Sequence, residues 1–138
     1  MNCYLDSSVV IRILFGEPKP LQEWSKIKQA FSSRLLRIEC LRTIDRLRLH
    51  NRLTNEETAR RLSGLQELLS HIGTSLLTPG VQERAEQSLP TPLGTLDGLH
   101  LASALLWRET RVKDFFFATH DDELALAAKA QGFRVIGL

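Results

Sequence analysis

Apolar positions along this chain fall into two kinds of run that alternate. Short, nearly continuous runs stop abruptly at polar residues: Cys3-Tyr4-Leu5 before Asp6, and Phe115-Phe116-Phe117-Ala118 before Thr119. Such runs suit strands buried on both faces, which lack the alternation of a half-exposed strand. Between them, apolar residues recur three and four apart, the spacing of a helical face. The pattern predicts a strand at Asn2–Asp6 and a helix from about Ser8 to Phe15, which Gly16-Glu17-Pro18 interrupts. A second short helix is expected around Leu21–Lys28. A brief strand at Ala30–Ser32 then feeds a long helix over Ser33–His50. Its apolar stripe is Leu36, Cys40, Ile44 and Leu47, widened by Leu35, Ile38 and Leu41.

The second half continues the alternation. Thr54–Glu57 reads "TNEE", a capping box for a helix carrying Leu62, Leu65 and Leu69. Ser75–Leu77 is expected as a strand, and Thr78-Pro79 opens another helix with proline at its first position. In "LPTPLGTLDGLHLASALLW" the prolines and glycine mark a loop, Thr95 is the expected cap, and residues 96–108 carry a helical pattern. After the strand Phe115–Ala118, a helix over Glu123–Gln131 stops at Gly132, and "FRVIGL" supplies the last strand. Strands separated by helices imply an α/β fold: a mostly parallel sheet covered on both faces.

Composition narrows the class. The 138 residues give room for one domain with a substantial core, so a single domain over 1–138 is expected. No apolar run approaches a membrane span, and Asp6 and Arg12 interrupt what would be the apolar part of a signal peptide. Cys3 and Cys40 lie in apolar segments without metal-ligand spacing, and read as buried thiols of a cytoplasmic protein. A net charge of +2 hides a segregation: residues 26–61 hold 10 of the 18 basic residues and only 4 of the 16 acids. That excess is either a solvated helix face or an electrostatic footprint for nucleic acid. There is no P-loop, GxSxG, HExxH or CxxC, which leaves nucleotide-driven, serine-hydrolase and zinc-protease chemistry without support.

The acids are more informative. Asp6 and Asp121 each lie at or just past the carboxyl end of an expected buried strand, where open α/β sheets bind ligands. Asp97 falls in the first turn of a helix, and Glu39 lies beside the buried stripe of the long helix. Taken singly, each has an ordinary explanation as a cap, a dipole complement or a surface charge. Four carboxylates converging on one sheet end would instead repel and raise one another's pKa values unless a cation compensates. Oxygen ligands without His or Cys suit Mg²⁺, with Mn²⁺ as substitute. Two such ions about 4 Å apart activate a water and stabilise the leaving oxygen in phosphodiester cleavage.

Four segments, "YLDSSVVI", "SRLLRIECLR", "LGTLDGLHLASAL" and "FATHDDELALAAKAQGFRVI", resemble in order and spacing the signature segments of PIN-domain ribonucleases. The resemblance is nearest to the VapC toxins of toxin–antitoxin pairs and runs from Asn2 to Ile136. It implies a three-layer α/β/α sandwich with a central parallel sheet, and an acidic Mg²⁺ site that cuts RNA, often a structured RNA such as tRNA. It also implies a VapB-like antitoxin, whose C-terminal segment offers an arginine to the carboxylates, and a homodimer. Position by position, the family's acids fall on Asp6, Glu39, Asp97 and Asp121. Ser7 and Thr119 are the expected polar supports for ligands or waters.

Asp122 blurs which neighbouring acid binds metal. Thr119 and Asp121 are two apart and point the same way from an extended strand end, so metal chemistry is assigned to Asp121 and helix capping to Asp122. Arg42 and Arg46 are candidate RNA contacts on the basic helix. His100 reads as packing, His120 as surface, and Trp24 and Trp107 as core or interface. A dehalogenase-like phosphatase would want a second Asp where this chain has Ser8. A non-catalytic PIN-like RNA-binding module or a housekeeping nuclease without an antitoxin are the competing readings.

Overall fold

In the computed structural model, which describes residues 1–138, five strands form one sheet. They are β1 (Asn2–Leu5), β2 (Gln29–Ser33), β3 (Ile72–Ser75), β4 (Phe116–Ala118) and β5 (Arg134–Ile136). Every neighbouring pair is parallel, in the order β3-β2-β1-β4-β5. Parallel neighbours need crossover connections, and helices supply them. Helix α1 (Ser7–Leu14) joins β1 to β2, and α2 (Leu35–Leu49) with α3 (Asn55–Ser70) joins β2 to β3. Helices α4 (Pro79–Glu86) and α5 (Thr95–Thr110) lead to β4, and α6 (Asp122–Ala130) leads to β5.

Side-chain parity in β1 divides the core into two. Cys3 and Leu5 pack with Val9, Leu14, Leu36, Ile44 and Leu65 from α1, α2 and α3. Tyr4, pointing the other way, packs with Leu101, Leu105, Leu124 and Ala128 from α5 and α6. Each fully buried Leu or Val contributes about 1.5–3 kcal/mol over exposure. This is the three-layer α/β/α arrangement, with the sheet all parallel. Trp107 belongs to the second core, stacked on Phe31 with ring centroids 4.5 Å apart. Cys3 and Cys40 are free and buried, and burial pushes both thiols up to about 12, so they stay protonated and inert. No helix is long and apolar enough to cross a membrane.

Several expected elements shift. The helix expected around Leu21–Lys28 is only a 3-10 turn at Trp24–Lys26, because Leu21 is drawn into the core and the chain around it runs as a loop. Strand β3 starts at Ile72, three residues before the expected Ser75, since pairing to β2 runs from Ala30↔Ile72 to Ser33↔Ser75. An edge strand tolerates the polar Gly73-Thr74-Ser75, while the apolar Leu76 is left exposed. The cap of α5 is Gly94, with Thr95 its first helical residue. Ile38 does not join the buried stripe of α2 and is exposed. Gly132, at φ +83°, ends α6 as expected.

The strand order decides where a site can lie. The chain leaves β1 toward β2 on one side, and β4 returns to the other side of β1. Connections that diverge in this way open a crevice at the carboxyl ends of β1 and β4.

The capping box of α3 is present. Thr54 Oγ1 accepts the Glu57 N–H at 3.1 Å and Glu57 Oε1 accepts the Thr54 N–H at 3.4 Å. Thr54→Ala therefore costs about 1 kcal/mol of stability, seen in urea denaturation as a lower midpoint with an unchanged slope.

Candidate active site

Asp6 ends β1 and at the same time caps α1. Its backbone N–H reaches Ala118 O of β4 at 3.0 Å, and its carboxylate accepts the Ser8 N–H at 3.2 Å. The same oxygen, Oδ2, takes the Ser8 hydroxyl at 2.5 Å and the Thr119 hydroxyl at 3.0 Å. Three donors on one oxygen lock the group, which is only 3% exposed, and Oδ1 is turned toward His100. The Ser7 hydroxyl lies 3.5 Å from Oδ1, a marginal contact, so Ser8 holds Asp6 more firmly than Ser7 does. The same two hydroxyls bind the loop after β4: Ser8 Oγ accepts the His120 N–H and Thr119 Oγ1 accepts the Asp121 N–H, each at 3.0 Å. His120 is half-buried rather than on the surface, its Nδ1 bonded to the Gly137 carbonyl.

Glu39 comes from the second turn of α2 and His100 from α5, on the opposite face of the sheet. They meet over the strand ends, with His100 Nε2 3.1 Å from Glu39 Oε2 and 3.7 Å from Asp6 Oδ1. His100 is fully buried, and its Nδ1 lies 3.0 Å from the Tyr4 hydroxyl. Burial pushes the imidazole down, but the Glu39 hydrogen bond and the charges of Asp6, Glu39 and Asp97 outweigh it and hold it above its usual range. Ligating atoms of Asp6, Glu39 and His100 all lie within 4.8 Å of one another.

Asp97 and Asp121 stand outside that tight cluster but within its field. Asp97 precedes His100 by one helical turn on α5. Burial pushes its carboxyl up to about 6, with the charges of Asp6 and Asp121 adding, His100 opposing, and Glu39 adding again. Asp121 is the cap of α6, its Oδ1 accepting the Leu124 N–H at 2.7 Å. This corrects the capping role expected for Asp122. Helix α6 begins one residue earlier than the pattern suggested, so the cap falls on Asp121 and the exposed Asp122 becomes the first helical residue. Capping occupies one oxygen of Asp121 and leaves Oδ2 without a protein partner.

None of the four acids pairs with a Lys or Arg; the only basic side chain beside them is His100, against Asp6 and Glu39. A set of carboxylate oxygens under mutual repulsion, one of them with a raised pKa, fits a hard divalent cation. The structure brings the ligating atoms of Asp6 and Glu39 together with His100 for such an ion, and Asp97 and Asp121 lie close enough to share its field.

Comparison with known proteins accords with this arrangement. The PIN domain family model matches residues 3–130. The chain belongs to the PIN-domain family. Ribonuclease VapC46 of Mycobacterium tuberculosis is 31% identical over 136 residues, covering 96% of this chain and 95% of that protein. Around the acids of this PIN domain, sequence reasoning assigned no part to Ser8 or Tyr4 and read His100 as packing, whereas all three are hydrogen-bonded into the cluster. The i,i+3 spacing of His100 from Asp97 puts both on one helix face but does not separate packing from a polar contact. Ser8 had a weak signal, a hydroxyl two residues after a capping acid. For Tyr4, inside an apolar strand, there was none.

Asp97 yields a pH prediction. Its folded-state pKa of about 6 lies above the ordinary 3.8. Stability from this group is therefore full below about pH 4 and is lost as pH rises through about 6. Asp97→Asn removes that loss. In EDTA at pH 7.5 the variant melts about 3 °C above the parent, a figure discounted for partial exposure, and the two curves converge below about pH 4.

Proposed function

We propose that this chain is a Mg²⁺-dependent endoribonuclease acting as the toxin of a VapBC-like pair. The observation that carries the reading is the meeting of Asp6 and Glu39 within 4.8 Å at the crevice of a PIN fold, with no Lys or Arg to neutralise them. The relative named Ribonuclease VapC46 supports RNA as the substrate.

A bound divalent ion supplies a positive charge against the scissile phosphate and acidifies a water for attack. The protein's own groups prepare the place. Ser8 and Thr119 fix Asp6, so its free oxygen is presented without a rotamer search. Asp121 is fixed by its cap, and a bound cation would offset the burial and neighbouring charges that raise the Asp97 carboxyl. Arg42 and Arg46 follow Glu39 by one and two turns on the same side of α2, and they reach phosphates that flank the cut. Arg42 now shares Asp45 with Arg48 at 3.3 and 2.7 Å, an exposed arrangement weak enough to yield to a phosphate. An antitoxin arginine placed among the acids would occupy the cation's position and silence the site. A homodimer and a structured RNA such as tRNA complete the reading.

Asp6→Asn, Glu39→Gln, Asp97→Asn and Asp121→Asn each reduce RNA cleavage to background while retaining a cooperative fold, whereas Asp122→Ala keeps most activity. EDTA abolishes parental cleavage, and Mg²⁺ or Mn²⁺ restores it. Full activity in any two of the first three variants overturns the site. Mapping 5′ ends of cellular RNA after brief induction, with Asp6→Asn as control, identifies the RNA.

The basic helix is tested separately. Replacing Arg42 and Arg46 together by Ala weakens RNA binding and lowers the slope of log affinity against log salt by about 1.4, the value for two single-strand phosphate contacts. An unchanged slope shows that this face is only solvated.

A further inference from the structure

Asp6 and Glu39 are held in place by different means. Asp6 has Ser8 and Thr119, whereas the carboxylate of Glu39 has one hydrogen-bond partner, His100 Nε2 at 3.1 Å. Glu39 is half-buried on a long, rotatable side chain, so its direction depends on how firmly the imidazole is held. The other edge of the ring answers that question. Tyr4 Oη lies 3.0 Å from His100 Nδ1 and also accepts the backbone N–H of Ser33, the last residue of β2, at 3.1 Å.

Tyr4 is itself immobile. It is fully buried, stacked on Phe117 at 5.2 Å and set edge-on to Phe31 at 6.0 Å. A phenylalanine would satisfy that apolar cluster, and only the hydroxyl distinguishes the residue present. Hydrogen positions follow from chemistry. A carboxylate only accepts, so Nε2 carries a hydrogen whatever the charge of the ring. With a neutral ring, Tyr4 Oη–H donates to Nδ1, and each group from the Ser33 N–H to Glu39 Oε2 has a partner.

We propose that Tyr4 and His100 form a positioning relay that transmits the fixed geometry of the β2 backbone to the Glu39 carboxylate. Tyr4 thereby sets the site's affinity for its divalent ion without touching it. The inference rests on the metal reading above. Hydrogen-bond partners behind a ligating group fix its orientation, and their loss typically weakens metal binding about 10–100-fold.

The test uses the full chain, stripped of metal and titrated with Mn²⁺ by electron paramagnetic resonance, with thermal melts to establish folding. Tyr4→Phe keeps the stack and weakens Mn²⁺ binding about 10-fold. It shifts the Mg²⁺ concentration for half-maximal cleavage in the same proportion. His100→Leu weakens binding further, and Tyr4→Phe adds nothing in that background, because the relay is already cut. His100→Gln restores a donor near the Nε2 position and recovers part of the loss.

An affinity in Tyr4→Phe within about twofold of the parent overturns the relay. So do independent, multiplying effects of the two substitutions, or equal affinities for the Gln and Leu variants at position 100, which decide the matter even if Tyr4→Phe folds poorly. A directly bound ¹⁴N coupling in the electron spin echo of the Mn²⁺-loaded parent overturns it too, making His100 a ligand. A parent that binds no Mn²⁺ at all defeats the metal reading and the relay together, whereas normal parental binding with an unaffected Tyr4→Phe defeats the relay alone.

Discussion

Carboxylates gathered at one end of a parallel sheet repel one another, and this structure is arranged around that repulsion. Asp6 is almost fully buried, yet no Lys or Arg approaches it. The cost of holding a charge there is met by short-range donors: the Ser8 amide, two hydroxyls, and an imidazole that the surrounding acids themselves keep basic. Asp97, where burial and then the charges of Asp6 and Asp121 raise the carboxyl to about 6, has no such donors. The same imbalance makes the crevice receptive to a cation, so the stability deficit and the binding capacity have one origin.

The first acid of the chain poses a choice between helix cap and functional group, and the structure declines the choice. Asp6 caps α1 and Asp121 caps α6, each with one oxygen, while Oδ1 of Asp6 lies 3.7 Å from His100 and Oδ2 of Asp121 has no protein partner. A strand that ends where a helix begins brings the two roles to a single residue. A cap contributes on the order of 1 kcal/mol, which partly offsets the repulsion that the same carboxylate suffers. Asp97, in the first turn of α5, has the helix dipole in its favour but makes no capping bond, and Glu39, in the second turn of α2, caps nothing. Glu39 gets its support from His100 instead.

Much of this was legible in order along the chain because its cues are local. Buried strands announce themselves as apolar runs, Thr54–Glu57 as a capping box, and Gly132 as a helix stop. The four acids stood out as candidates because each sits at a recognisable element boundary or in a segment shared with PIN domains. What escaped reading depends on partners far apart. Glu39 and His100 are 61 residues apart and Tyr4 and His100 are 96, and no periodicity in sequence links such pairs. The shift of capping from Asp122 to Asp121 has a different cause. Adjacent acids at a strand–helix junction offer nearly equal caps, and only the pairing of β4 with β1 and β5 fixes where the strand ends.

The central place of β1 bears on how such a molecule is made. Strand β1 gains one neighbour, β2, early but waits for the other, since β4 follows it by more than a hundred residues of translation. Until then Asp6 has neither the Ala118 carbonyl that anchors its backbone nor the Thr119 hydroxyl that orients its carboxylate. His100 likewise lacks a finished sheet to rest on. Until β4 is made, the nascent chain carries Asp6 and Glu39 but no assembled cluster, and the crevice comes into being only after that strand has joined β1.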